Sequence, residues 1–309
     1  MLKKKDLIFV AGHNGFVGKS IIRRLEYFKY KNILMIEKKK LDLTDQKKVF
    51  LFLKKHKPRA IIVAAARTGG IEFNNKFGAN ILYDNLSIQN NLLEAGKTNN
   101  IKNIIFLSSN TIYPKFCKQP MKEDYLFSGV LEKSHEYFAI SKLAGIKLCE
   151  AYNKKYNTNY ITLILPNIYG PGDNYHSKSS SFFPALLKKI YAAKSENKKN
   201  ISLWGDGMSK REIIYVDDVA DSCIYFLNKK PMHKVINIGT GHEMTIKSFA
   251  KFIMKKLNVN FRIKFTNYRY TGMKRKLLDT SIAKKYNWQY KIDINEGFRL
   301  TLDDFLKNN

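Results

Sequence analysis

Cysteine is scarce in this chain. Its three cysteines, Cys117, Cys149 and Cys223, lie far apart with no C-x-x-C pair, and an odd number does not close a disulfide framework. A reducing, cytoplasmic setting is the expectation. Long apolar runs are missing as well: the first, Leu7–Ala11, breaks at Gly12 after five residues, too short for a signal-peptide core or a membrane span. No membrane partner is expected. Internal repeats and low-complexity linkers are also absent, which excludes a fibrous or disordered chain. Acidic residues are few, 26 Asp and Glu against 55 Lys and Arg, for a net charge of +29. That balance favours something anionic without naming it. Arginine supplies only nine of the 55 cations, and the lysines spread from Lys3 to Lys307 rather than gathering on one face with interleaved aromatics. The charge reads as a compositional bias, and no nucleic-acid partner is expected.

What is present is core-forming material. With 309 residues, 44% hydrophobic and 13% aromatic, the chain can build one large α/β unit or two packed lobes. Leu7–Ala11 is a continuous apolar run, Val17–Leu25 has helical spacing, and Asn32–Ile36 is apolar again. The alternation continues: a strand over Arg59–Ala66, a helix over Asn80–Gly96, a strand over Asn103–Ser108, a long helix over Tyr137–Tyr156 and a strand over Tyr160–Leu165. Strands that are apolar without alternation and separated by helices imply a parallel sheet covered on both faces. After Pro166 the texture changes. Turn residues cluster over Asn167–Ser181, a helix follows over Phe182–Ala193, and the polar stretch Lys194–Asn200 reads as a surface loop. Val216–Leu227 (helix) and Val235–Ile238 (strand) return to the sheet. The expectation is a Rossmann-like doubly wound domain over 1–166 and about 213–240, with a smaller α/β lobe over 167–212 and 241–309.

Between the first strand and helix stands Gly12-His13-Asn14-Gly15-Phe16-Val17-Gly18. Glycines here allow a tight turn, let backbone approach a pyrophosphate, and let the helix pack on the strand while its N-terminus offers N–H groups to the anion. Preceded by a strand and followed by a helix, the pattern points to a dinucleotide. Glu37, at the end of the second strand, is placed to accept the ribose 2′-OH of NAD, whereas Lys38 beside it is placed to hold the 2′-phosphate of NADP. Asp42 and Leu43 are candidates for the adenine end, with a turn or N-cap role for Asp42 as the alternative.

Ser108-Ser109 ends the fourth apolar strand of the series, and Lys142 sits in the long helix after Phe138-Ala139-Ile140-Ser141. Here the chain resembles the extended short-chain dehydrogenase/reductases, and more narrowly the GDP-L-fucose synthase group of GDP-4-keto-sugar epimerase/reductases. The resemblance runs from about Leu7 to about Ala283 on eight blocks in order: AGHNGFVG, AAARTGGIEFNN, SSNTIYPK, ISKLAGIKLCEAYN, LPNIYGPGDN, FFPALLKK, LWGDGMSKREIIYVDD and RKLLD. It implies that Gly12, Asn14, Gly15, Phe16, Val17, Gly18, Ala64, Ala65, Ala66 and Leu165 line the cofactor. It also implies that Ser109 orients the substrate carbonyl, that Lys142 holds the nicotinamide ribose, and that a Tyr four residues before the Lys protonates the carbonyl oxygen.

That position holds Phe138, which has no exchangeable proton. Tyr137 is next door, but one helical residue turns a side chain by roughly 100°. Phe138 reads as an engineered isosteric replacement that traps bound ligand. The alternatives are a natural transfer of the acid role to another group and a natural non-catalytic relative. A second departure concerns epimerisation, which the resemblance assigns to a Cys and a His. Their positions hold Thr111 and Ser181, hydroxyls that do not titrate near neutrality, and His176 is the one neighbouring imidazole weighed as a substitute. The resemblance further implies substrate contacts at Arg67, Asn110, Asn167, Lys189, Trp204, Arg211 and Lys276, with cations meeting a diphosphate and Trp204 offering a flat face to guanine. The expected activity is NADPH-dependent C4 reduction, with NADH open, of a GDP-linked 4-keto hexose or heptose for a surface glycan such as capsule polysaccharide. The expected enzyme is a cytoplasmic homodimer, impaired by Phe138 and supplied by a separate epimerase. The rivals are full 3,5-epimerase/4-reductase activity and a non-catalytic nucleotide-binding protein.

Overall fold

The computed structural model describes residues 2–175, 180–266 and 272–308; His176 lies outside them. The first half alternates β1 (Ile8–Ala11), α1 (Phe16–Tyr27), β2 (Ile33–Leu34), α2 (Gln46–His56), β3 (Ala60–Val63), α3 (Ile71–Lys76), α4 (Gly78–Thr98), β4 (Asn103–Ser109), α5 (Glu136–Tyr156) and β5 (Asn159–Leu165). Then come β6 (Asn167–Tyr169), α6 (Phe182–Ser195), β7 (Asn200–Trp204), β8 (Lys210–Tyr215), α7 (Val216–Leu227), β9 (Val235–Asn237) and β10 (Glu243–Thr245). The chain closes with α8 (Ile246–Lys256), β11 (Arg262–Thr266), β12 (Arg275–Lys276), α9 (Ser281–Lys285) and α10 (Ile294–Asn308).

Six strands form one sheet in the order β2-β1-β3-β4-β5-β9, every pair parallel. Alternate residues of each strand face opposite layers. Phe9, Ile61, Ile104 and Phe106 pack with Val49, Leu92 and Leu143 on one side, while Ile8, Val10, Ile105 and Ile161 pack with Ile21, Leu25 and Val219 on the other. Both layers are apolar, which is why the strands read as continuous runs. The chain steps from β1 outward to β2 and then back across β1 to β3, so the crevice beyond the C-terminal ends of β1 and β3 is the switch point where such sheets take ligands.

A second core, built on Tyr169, Phe183, Leu187, Phe249, Ile253 and Phe298, lies among α6, α8 and α10. Its sheet is centred on β8, which pairs with β10, β12 and β6. The fully buried Glu212 carboxylate joins this sheet to its surroundings, accepting the backbone N–H groups of Thr240, Gly241 and Leu278 at 2.7–2.9 Å.

Several expected elements differ in extent. Asn32–Ile36 contributes only Ile33–Leu34, an edge strand with a single neighbour, and Arg59–Ala66 contributes only Ala60–Val63, because residues 64–66 leave the sheet at the crevice. The polar stretch 194–200 is shorter than a full loop, since α6 runs to Ser195 and β7 begins at Asn200. Helix α2 was not anticipated. Asp45 caps it by accepting the Lys48 N–H at 3.0 Å, and Val49 and Leu53 bury its inner face.

Candidate active site

Strand β1 ends at Gly12, whose φ of +89° lies in the left-handed region. A Cβ there would stand 2.6 Å from the Ala65 backbone nitrogen, so the missing side chain lets the ends of β1 and β3 meet. A Cβ on Gly18 would fall 2.0 Å from the Gly12 carbonyl oxygen, so α1 rests directly on the turn. Gly15 caps α1 with no side-chain bond, and the amides of Phe16, Val17 and Gly18 have no intrahelical acceptor. Asn14 is exposed on this rim, Ala64–Ala66 line its far side, and Glu37 and Lys38 are exposed beyond β2. The Asp42 carboxylate accepts from the Thr44 N–H and hydroxyl at 3.0 and 2.9 Å, the turn role weighed as its alternative. The Leu43 carbonyl accepts from Asn91 Nδ2.

At the end of β4, Ser109 is paired in register with Leu165 of β5. Its Oγ accepts from the Thr111 N–H at 3.3 Å and from Thr111 Oγ1 at 3.2 Å, which leaves the Ser109 hydroxyl hydrogen to be donated elsewhere. Ser108 Oγ and Asn110 Nδ2 are buried without a hydrogen-bond partner among the described residues. Helix α5 packs across β4 and the Asn110–Ile112 turn. It places Phe138 and Lys142 on one face, both buried, with Lys142 Nζ 4.7 Å from the Phe106 ring centre and 5.8 Å from that of Phe138. Burial pushes the Lys142 pKa down to about 8. Position 138 therefore faces the crevice beside Lys142, whereas Tyr137 is half-exposed and lies against Gly78.

In the second sheet, β8 and β12 run parallel with Arg211 and Lys276 as register partners. Lys276 is buried. Burial and the Arg211 charge together push its pKa down to about 7, while burial brings Arg211 to about 10. Like charges side by side on neighbouring strands are destabilising, and the carboxylate that acts on this pair is Glu132. Asn167 Nδ2 donates to the Glu212 carbonyl at 3.1 Å, so its side chain ties β6 to β8 one residue past Arg211. Arg67 pairs with Asp84 at 2.7 Å and stacks on Phe77, while Asn85 bonds both its N–H and its carbonyl. Lys189, Trp204 and Ser181 are exposed on the second lobe, Ser181 as the cap residue of α6 with no side-chain cap bond.

Three comparisons bear on this geometry. A family model described as "NAD dependent epimerase/dehydratase family" matches residues 8–239. The chain belongs to that family. It is 37% identical to the GDP-L-fucose synthase of Escherichia coli over 98% of each chain. Among solved structures it resembles a GDP-6-OMe-4-keto-L-xylo-heptose reductase from C. jejuni, at 30% identity, a TM-score of 0.92 and coverage of 100% and 99% of the two chains. It also resembles the GDP-mannoheptose C4 reductase of Campylobacter jejuni solved with NADP bound, at 33% identity, a TM-score of 0.90 and coverage of 99% and 100%. These matches bear out the resemblance carried by the eight motif blocks and the Rossmann-like fold.

Within this epimerase/dehydratase chain, two residues of the turn before α5 escaped the motif reading. Glu132 is buried with its Oε2 3.8 Å from Lys115 Nζ, and His135 caps α5. Both lie in the loop before α5, outside every quoted block. The signal that could have found them is proximity in sequence: three residues before Phe138 is one helical turn.

Proposed function

We propose that the chain is an NADPH-dependent C4 reductase of a GDP-linked 4-keto hexose or heptose, with Phe138 in the slot of the phenolic acid. One relationship carries this reading. Helix α5 packs across β4 and the Asn110–Ile112 turn and buries Lys142 beside Phe138, at the four-residue spacing the resemblance gives to the acid and its lysine. A buried ammonium beside a partly buried guanidinium suits a dianion. The cofactor fits on separate grounds: the glycines at 12 and 18 let β1, β3 and α1 close on one another with the free N-terminal amides of α1 at the rim, and no acceptor among the described residues pairs with Lys142 Nζ.

Bound NADPH supplies a hydride. The chain's residues do the rest: Ser109 hydrogen-bonds the C4 oxygen through its free hydroxyl hydrogen, water supplies the proton that Phe138 does not, Lys142 holds the ribose hydroxyls, and Arg211 and Lys276 fix the diphosphate while Trp204 and Lys189 face the nucleotide. Lys38 favours the phosphorylated dinucleotide over Glu37's preference for NAD, and Asn110 and Arg67 border the sugar. Thr111 and Ser181 carry no group that titrates near neutrality, so 3,5-epimerisation falls to a separate enzyme acting earlier, and the product enters a surface glycan such as capsule polysaccharide.

A cytoplasmic homodimer completes the reading. Tyr83 on α4 and Tyr137 and Ile140 on α5 are exposed apolar side chains on two helices that pack together, and Ile140→Glu should turn dimers into monomers by light scattering. The deciding experiment supplies a panel of GDP-4-keto sugars with NADPH or NADH and follows products by mass spectrometry. Gain of two hydrogens is expected, with NADPH the better donor. No turnover by this chain or by Phe138→Tyr would overturn the reading.

A further inference from the structure

Scattered along the sequence, the lysines are not scattered over the fold. All six strands of the main sheet run parallel, so the segments leading into them gather at one end, opposite the crevice. Hydrogen bonds hold those segments side by side. The Lys31 N–H donates to the Lys4 carbonyl at 3.0 Å, the Arg59 N–H to the Leu7 carbonyl at 2.8 Å, and the Asn159 N–H to the Lys102 carbonyl at 2.7 Å. Asn159 Nδ2 donates to the Lys229 carbonyl at 3.1 Å, and Asn228 accepts from the Leu2 N–H and donates to the Tyr30 hydroxyl. Residues 2–7, 26–32, 54–59, 94–102, 154–159 and 228–234 together hold sixteen Lys and Arg against three acids, where the whole chain holds 55 against 26. Fourteen of the sixteen are exposed. Of the acids, Glu94 pairs with Lys97 at 2.6 Å and Asp6 accepts from the Lys3 N–H at 2.8 Å, which leaves Glu26 exposed among the cations. Helix C-termini favour nearby cations, which accounts for the lysines closing α2 and α5. It does not account for Lys3, Lys5 and Arg59, which lead into strands.

We propose that this strand-start face docks on the anionic surface of a lipid bilayer, its lysines meeting headgroup phosphates. Six strands about 4.8 Å apart make it roughly 24 Å wide, a broad face that suits an extended field of charge. Arg59 is the one arginine among the fourteen exposed cations. Lysine is a compact point charge without the planar fork that reads a base edge or clasps a single phosphate, so the composition fits a headgroup layer better than a nucleic acid. Tyr27, ending α1, and Met232, in the loop before β9, are 65% and 88% exposed. They lie on neighbouring segments, joined through Asn228 and Tyr30, and supply apolar side chains for the headgroup boundary. No helix among the described residues is long and apolar enough to cross a membrane, so the attachment is one of surface charge. Docked this way, the crevice beyond the other ends of the strands faces away from the lipid and stays open.

The probe is a vesicle of about one-third phosphatidylglycerol in phosphatidylcholine, with pure phosphatidylcholine as its neutral counterpart, and the readout is co-sedimentation. The protein should bind the anionic vesicles at about 0.1 M salt, lose about tenfold or more in affinity at about 0.5 M, and leave the neutral ones alone. Lys5→Glu, Lys31→Glu and Lys230→Glu combined should weaken binding about 100-fold. The same change in net charge made on the exposed lysines of α8, by Lys247→Glu, Lys251→Glu and Lys255→Glu, should alter it less than about threefold. Should the first variant misfold, amide hydrogen exchange of the unmodified protein serves instead, with slowing on vesicle addition expected in residues 26–32 and 228–234 and not in α8. Equal losses in the two variants, or protection spread evenly over the chain, would reduce the effect to bulk charge and overturn the proposal. So would failure to bind the anionic vesicles, or tighter binding to a DNA duplex than to vesicles at the same salt, which would assign the face to nucleic acid.

Discussion

The Lys142 ammonium stands 5.8 Å from the centre of the Phe138 ring, one helical turn away on the same buried face. An aromatic face steadies the cation, but it supplies no proton. A phenol in the same place would put an acidic O–H beside a positive charge, which favours its ionised form and eases proton transfer.

Phe138→Tyr should therefore raise kcat for C4 reduction by about 10²- to 10⁴-fold, the range of a positioned general acid. The KM for the nucleotide sugar should change little, because the ring keeps its packing. Initial rates of NADPH oxidation measure both. A kcat unchanged by the substitution would mean that the acid role sits elsewhere in this chain.

Arg211 and Lys276 predict a conflict between stability and binding. Replacing Lys276 by Met keeps most of the buried stem, removes one of two adjacent like charges, and spares the desolvation of an ammonium. The ligand-free protein should melt at a higher temperature, while affinity for GDP-mannose should drop about 10- to 100-fold with the lost charged contact. The pH dependence fixes the sign. The folded pKa of Lys276, about 7, lies below its ordinary 10.5, so between those values the unfolded chain binds the extra proton and stability gains from this group as pH rises. Binding shows the opposite trend, weakening as pH rises through that window because the diphosphate needs the ammonium. Urea titrations and calorimetry across the window should show both slopes in the native protein and shallower ones in Lys276→Met, where Lys142, with its own lowered pKa of about 8, still contributes to the stability slope; equal melting temperatures and equal affinities would refute the account.

Much of this was legible in the sequence because backbone necessity wrote it there. Gly12 and Gly18 are glycines since a Cβ at either would collide with backbone, and the six sheet strands read as apolar runs since both faces are covered. Phe138 could be placed beside Lys142 because a four-residue spacing fixes a shared helix face. What stayed hidden depended on contacts remote in sequence. Nothing local to Glu212 announces that it accepts backbone N–H groups from Thr240, Gly241 and Leu278. The pairing of Arg211 with Lys276 is a matter of strand register between segments 65 residues apart. Helix α2 went unread for another reason: its lysines at both ends mask a short apolar stripe.

Thr111 allows one more test. Its hydroxyl donates to Ser109 Oγ at 3.2 Å, so it is spent on orienting Ser109, and an aliphatic hydroxyl is far too weak an acid to exchange protons with carbons beside a ketone near neutral pH. Turnover of a GDP-4-keto sugar in heavy water should leave no deuterium at C3 or C5, while C4 receives its hydrogen from the nicotinamide. Thr111→Cys would place a titratable thiol at the same point, and with it slow deuterium uptake at a flanking carbon becomes the expected result by mass spectrometry. Label at C3 and C5 with the native protein would instead mean that another side chain in the crevice shuttles protons and that epimerisation belongs to this chain.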